Sequence, residues 1–151
     1  MPENDWGSVV GAVTEEVLET MFFTCVCGPA EPGALAGEPR LTAHLTFQGS
    51  PCGAFTLSLA EPAARTLAAN FVAHETEDAP PAPEVGAVVC ELANMICGAV
   101  LSRVESDSHF RLSSPELLPE ASALPSAPPD QSLDLGDGVL EVWLSVEDHA
   151  G

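Results

Sequence analysis

Lysine is missing from this 151-residue chain, and Arg40, Arg65, Arg103 and Arg111 are its only Lys or Arg cations. Against them stand 23 Asp and Glu, for a formal net charge of −19. That shortage disfavours several kinds of partner. Nucleic acid is held by Lys and Arg that displace its counterions, and four Arg on so negative a surface leave no such footprint. An anionic membrane surface repels the chain for the same reason. A free nucleotide is equally disfavoured, because no Gly-rich phosphate loop is present.

Long apolar runs are also lacking. No stretch approaches the roughly 18 apolar residues of a membrane span, and Glu91 and Asn94 interrupt the longest apolar helix. Met1-Pro2-Glu3-Asn4-Asp5 has no signal-peptide core. The expectation is a soluble, cytoplasmic protein with no membrane partner. A disulfide scaffold is missing too. Five Cys is an odd number, and Cys90 and Cys97 lie two helical turns apart, about 10 Å, too far to bridge. Cys25-x-Cys27 could be half a metal site, but no second Cys or His pair has ligand spacing, so buried apolar thiols are expected. His44, His74, His109 and His149 are scattered and form no catalytic or metal pattern.

What remains is enough to fold. Hydrophobic residues make up 46% of the chain and charged ones 18%, so the acidity comes from missing cations and the apolar content can build a core. The length predicts one domain over residues 1–151. Val10, Val13, Val17, Met21 and Phe22 recur at helical spacing, which predicts a helix from about Gly7 to Cys27, closed by Gly28-Pro29. Leu41, Ala43, Leu45 and Phe47 alternate with polar residues as a half-buried strand. Phe55, Leu57 and Leu59 mark a second strand. A three-residue connection between them pairs Leu45 with Phe55 and Leu41 with Leu59, and keeps every large apolar residue on one face. Glu61-Pro62 opens a short helix to Val72. An acidic, proline-rich linker is expected from Glu75 to Pro83, then a long helix from Glu84 to about Glu105. A short strand at His109 to Ser113 and a loop from Pro119 to Gln131 follow. Ser132 to Leu135 and Val139 to Val146 read as a hairpin around Gly136-Asp137-Gly138. Trp143 is out of phase with the core residues of that last strand, so it is expected in a dimer contact or under a loop. The fold class is α+β: a mostly antiparallel sheet covered on one face by two long helices and a short one. The segment Val13 to Met21 can be laid over Val88 to Ile96, a faint pseudo-two-fold internal repeat.

The long second helix carries the most information. Val85, Val88, Val89, Leu92, Ile96, Ala99 and Val100 form its apolar stripe. Opposite them lie Ala87, Glu91, Asn94, Gly98 and Ser102. Glu91 and Asn94 are three apart and so are neighbours on that face. Gly98 in mid-helix is disfavoured by about 1 kcal/mol relative to Ala. It either lets helices pack closely or leaves bare backbone for a partner.

The run Glu91-Leu92-Ala93-Asn94-Met95-Ile96-Cys97-Gly98-Ala99-Val100 resembles the signature helix of the CheC and CheX chemotaxis phosphatase family, a Glu-x-x-Asn followed by small residues. Glu16 to Phe22 resembles the family's first helix, and the element order fits its fold. Two positions depart from the pattern: Ala87 stands where the family has Asp or Ser, and Pro115 fits the family proline only approximately. The first helix offers Glu16 and Glu19, with no amide. The resemblance therefore implies a single site, as in CheX-type members, and a homodimer. It implies hydrolysis of the aspartyl phosphate on a CheY-like response-regulator receiver. Asn94 would orient the attacking water, and Glu91 would pair with the receiver's active-site Lys. Ala87, Met95, Gly98 and Ser102 would form the contact surface. No cofactor of the chain's own is implied, since Mg²⁺ would come with the receiver. The rival readings are a CheX-like module that docks a receiver without hydrolysis, and a structural subunit whose binding does not depend on Asn94.

Overall fold

A computed structural model describes residues 6–22, 24–31, 39–49, 52–71, 82–104, 110–118, 129–136 and 138–147. Its elements run α1 (Trp6–Met21), β1 (Gly28–Pro29), β2 (Arg40–Gln48), β3 (Cys52–Ala60), α2 (Glu61–Phe71), α3 (Ala82–Val104), β4 (Arg111–Leu112), β5 (Glu116–Leu118), β6 (Gln131–Asp134) and β7 (Val139–Glu147). The pairings are all antiparallel, in the order β1-β6-β7-β3-β2-β4, with β5 also paired to β2.

The β2–β3 register is the one that side-chain alternation requires. Leu41 faces Leu59 and Leu45 faces Phe55, and Leu45, Phe47, Phe55, Leu57 and Leu59 are all essentially inaccessible. The β6–β7 hairpin turns at Gly136, whose φ of +92° lies in the region that a side chain disfavours. The Asp134 carboxylate accepts a hydrogen bond from the Gly136 N–H at 2.9 Å and so braces the turn. The helices pack on the face that these apolar residues share. From α1 come Val10, Val13, Val17 and Leu18; from α3 come Val85, Val89, Leu92, Ile96 and Val100.

The sheet has a two-fold logic. The central strands are β3 and β7, flanked by β2 and β6. Each flanking strand then takes a short strand from the other half: β1 joins β6, and β4 and β5 join β2. The helices match as well. Val10-Gly11-Ala12-Val13 and Val85-Gly86-Ala87-Val88 are identical tetrapeptides, and α1 and α3 pack against one another.

Several sequence-based expectations need correction. Helix α1 ends at Met21, well before Gly28. Beyond it the chain is β-branched and aromatic, which favours extended backbone. The Leu18 carbonyl accepts hydrogen bonds from the N–H groups of both Phe22 and Thr24, closing the last turn. Gly28-Pro29 is a strand rather than a helix stop. The helix α3 begins at Ala82, inside the expected linker, because Pro83 is tolerated in a first turn. The strand β5 was not expected, and β4 is shorter than His109 to Ser113. Cys25 and Cys27 are exposed, whereas Cys97 is buried. Trp143 is only 7% exposed within the single chain, so the chain's own cover accounts for it. Glu75 to Pro81 and most of the expected 119–131 loop lie outside the described residues, as do His74, His109 and His149.

Glu84–Arg103 passes for a membrane span on length and composition, with a mean hydropathy of 1.8. Its burial explains why: 56% of that window is covered inside the fold. Its apolar residues answer to the sheet and to α1.

Candidate functional site on the outer face of the long helix

Helix α3 has good ends. Pro83 sits in its first turn, where no N–H is needed, and Glu84 in the first turn and Arg103 in the last lie where the helix dipole favours their charges. Its 23 residues extend about 34 Å. The 3.6-residue repeat buries Val85, Val89, Leu92, Ala93, Ile96, Cys97 and Val100. By the same geometry it turns Ala87, Glu91 and Ser102 fully outward. Asn94, Met95 and Gly98 are half-buried along the edges of that stripe. The six residues therefore share one continuous surface. Met95 also packs against the margin of the core.

Neither Glu91 nor Asn94 has a side-chain hydrogen bond or ion pair among the described residues. The acid is in water and the amide is partly held by its surroundings, so both remain free for an incoming group. Gly98 has no internal crowding to explain it. A Cβ there would meet only Leu112 Cδ2, at 4.0 Å, which is ordinary contact. The thiols beside the stripe are not nucleophiles. Burial pushes the Cys97 pKa up to about 12 and raises that of Cys90 as well, so both stay protonated near neutral pH.

The matching face of α1 differs. Glu15, Glu16 and Glu19 are exposed there, but Glu16 is taken by Arg103 of α3 in a 2.8 Å ion pair. Sequence spacing did not reveal that tie. Nor did it reveal β5, whose Leu117 lies against Gly86 of α3. Glu116-Leu117-Leu118 shows no alternation, and three residues are too few to display a strand period. On the sheet face away from the helices, His44 Nδ1 lies 3.0 Å from Thr56 Oγ1.

An antiparallel sheet built from two swapped halves, with two long helices packed on one face, defines a fold of the CheC and CheX type. The family model for chemotaxis phosphatase CheX matches residues 41–131. The chain belongs to that family. Solved structures of the same fold cover nearly all of it. The chemotaxis protein CheX of Vibrio vulnificus is similar with a TM-score of 0.75 at 16% identity, over 97% of this chain and 100% of that one. CheX in the CheX-CheY-BeF3-Mg complex of Borrelia burgdorferi gives 0.73 at 17% identity, again over 97% and 100%. CheX of Desulfovibrio desulfuricans gives 0.71 at 17%, over 95% and 99%. No curated protein sequence matches the chain.

Proposed function

We propose that this protein is a cytoplasmic phosphatase that hydrolyses the aspartyl phosphate of a CheY-like receiver domain. The observation that carries the reading is the outer face of α3, where Glu91 and Asn94 stand side by side without side-chain partners among the described residues. The membership of the CheX family supports it. So does the partner in the Borrelia burgdorferi structure, in which CheX is bound to CheY.

The chemistry fits these residue types. An acyl phosphate is already activated, so the barrier falls mainly by placing one water in line with the P–O bond that breaks. The neutral amide of Asn94 can accept a hydrogen bond from that water without repelling the phosphoryl group. The water oxygen bonds to phosphorus, the aspartyl carboxylate leaves, and inorganic phosphate is released. Glu91 is exposed and negative, which suits it to anchor on a receiver lysine rather than to act as a base. Ala87, Met95, Gly98 and Ser102 allow close approach around the pair, and Mg²⁺ is assigned to the receiver. A homodimer is part of the same family-based reading.

The test is phosphate release from a phosphorylated CheY-type receiver. Wild-type protein should accelerate it, and Asn94→Ala should abolish the acceleration while circular dichroism stays unchanged. Turnover equal to wild type in that variant would refute the role of Asn94. Ala87, which departs from the family pattern, favours a second reading as a docking module. That reading predicts receiver binding by wild type with no acceleration at all.

A further inference from the structure

Met21 and Leu117 are the large apolar side chains exposed among the described residues, at 46% and 40%. Met21 simply closes α1. Leu117 is placed differently. It pairs with Ala43 across β2–β5, and Ala43 is buried beneath the helices. Leu117 therefore projects on the helix-covered face, at the sheet edge that α3 leaves partly open. It lies against Gly86, where an added Cβ would collide with its Cδ1. Leu112 of β4 has the same orientation, paired with the buried Phe47, and its Cδ2 reaches the surface at Gly98.

Gly86, Cys90, Asn94 and Gly98 follow at intervals of four, one row along the side of α3. Leu117 stands at the first end of that row and Leu112 at the last, with Asn94 between them. The row rises about 18 Å along the axis, well inside the span of an ordinary protein interface of about 800 Å² per partner.

We infer that Leu117 is a positioning residue for the receiver, the apolar anchor of a shelf that runs beside Asn94. This rests on the reading of α3 as the receiver-docking site. A partner that presents its phosphoryl group to Asn94 must also lie over this row, because the shelf and the amide form one surface. Charge supports an apolar anchor. A chain of net −19 gains no long-range attraction toward the acidic pocket of a receiver, so short-range burial has to fix the pose.

The experiment uses the full chain and a CheY-type receiver from the same genome, phosphorylated with acetyl phosphate. Leu117→Ser should raise KM about tenfold and leave kcat at saturating receiver unchanged. Asn94→Ala should do the reverse, lowering kcat while receiver binding by calorimetry is kept. Gly86→Ala pushes the Leu117 side chain off the helix without deleting it. It should raise KM a few-fold with no loss of thermal stability, since Ala is favoured over Gly in helices. Calorimetry needs no turnover, so it separates this inference from the hydrolytic one. Weaker receiver binding by Leu117→Ser supports the shelf even if Asn94→Ala turns over normally and the hydrolytic reading falls. A Leu117→Ser protein with wild-type KM and Kd overturns the shelf. So does one that loses only self-association on light scattering, because Leu117 would then belong to a contact between copies.

Discussion

Helices α1 and α3 occupy matching places in the two halves of the sheet and share the tetrapeptide Val-Gly-Ala-Val, at Val10 to Val13 and Val85 to Val88, yet their outer faces differ. In α3 the exposed stripe holds a carboxylate and an amide with no side-chain bonds among the described residues. In α1 the same turns hold Glu16 and Glu19, and Arg103 reaches across to bind Glu16. The core asks the same thing of both helices, an apolar stripe every three to four residues. The outer faces are free of that demand and have diverged. What the fold needs is therefore duplicated, and what the proposed chemistry needs is found once.

The largest effect should follow from breaking that asymmetry at its centre. Asn94→Ala is expected to lower accelerated phosphate release by about 100-fold or more, in the range seen when one transition-state hydrogen bond is removed. Glu19→Ala, at the matching place in α1, should leave the rate unchanged. Single-turnover assays on both variants check this, and equal losses would sink the one-site picture.

A second difference lies in the interior. The Cys97 thiol is buried in α3, and burial raises its pKa from an ordinary value of 9.0 to about 12. Its counterpart in the other half is Phe22, just past the end of α1, which does not titrate. The sign follows from linkage. The unfolded chain releases the Cys97 proton near pH 9 while the folded chain holds it, so the stabilisation is complete below pH 9 and is lost as pH rises through 12. The slope approaches 1.4 kcal/mol per pH unit for this group. With no Lys and no Tyr in the chain, few other groups obscure that window, although Cys90, also raised by burial, adds to the slope. Urea midpoints measured from pH 8 to 11 should fall for wild type and fall less steeply for Cys97→Ala. A Cys97→Ala protein with the wild-type slope would remove Cys97 as the cause.

How much of this could be read in the residues themselves depends on length scale. The β2–β3 register was legible because alternation and turn length both constrain it. The outer stripe of α3 was legible because one helical period relates Ala87, Glu91, Asn94, Gly98 and Ser102. The strands β1 and β5 were not, since two or three residues cannot show a period and each follows or contains a proline. The end of α1 was misplaced because Gly28-Pro29 is a stronger punctuation mark than the change in propensity after Met21. The Glu16–Arg103 pair and the Leu117–Gly86 contact join segments distant in sequence, which no local pattern relates. The faint repeat was legible only in part, and the swapped strands β1, β4 and β5 make it a property of the sheet.

A smaller effect is expected at Thr14. Its side chain is fully buried in α1 and its Oγ1 has no hydrogen-bond partner among the described residues. The matching residue in α3 is Val89, equally buried and with no polar atom in its side chain. Thr and Val have nearly the same shape, so Thr14→Val removes an unsatisfied hydroxyl without opening a cavity. It should stabilise the protein by about 1 kcal/mol, read as a higher urea midpoint. Destabilisation would mean that the hydroxyl is satisfied in solution.

The smallest effect tests the bond that separates the two faces. Arg103 and Glu16 are about half exposed, with side-chain accessibilities of 46% and 55%. Water screens such a pair, and ordering two long side chains offsets part of the attraction, so the net contribution is about 0–1 kcal/mol. Arg103→Ala should lower the melting temperature by no more than about 4 °C for a domain of this size. Raising the salt concentration to about 1 M, where screening acts within about 3 Å, should shrink that difference. A larger, salt-independent drop would mean that the Arg103 stem packs the α1–α3 seam as well as pairing across it. The asymmetry of the two faces would then be built into the core and not only into its surface.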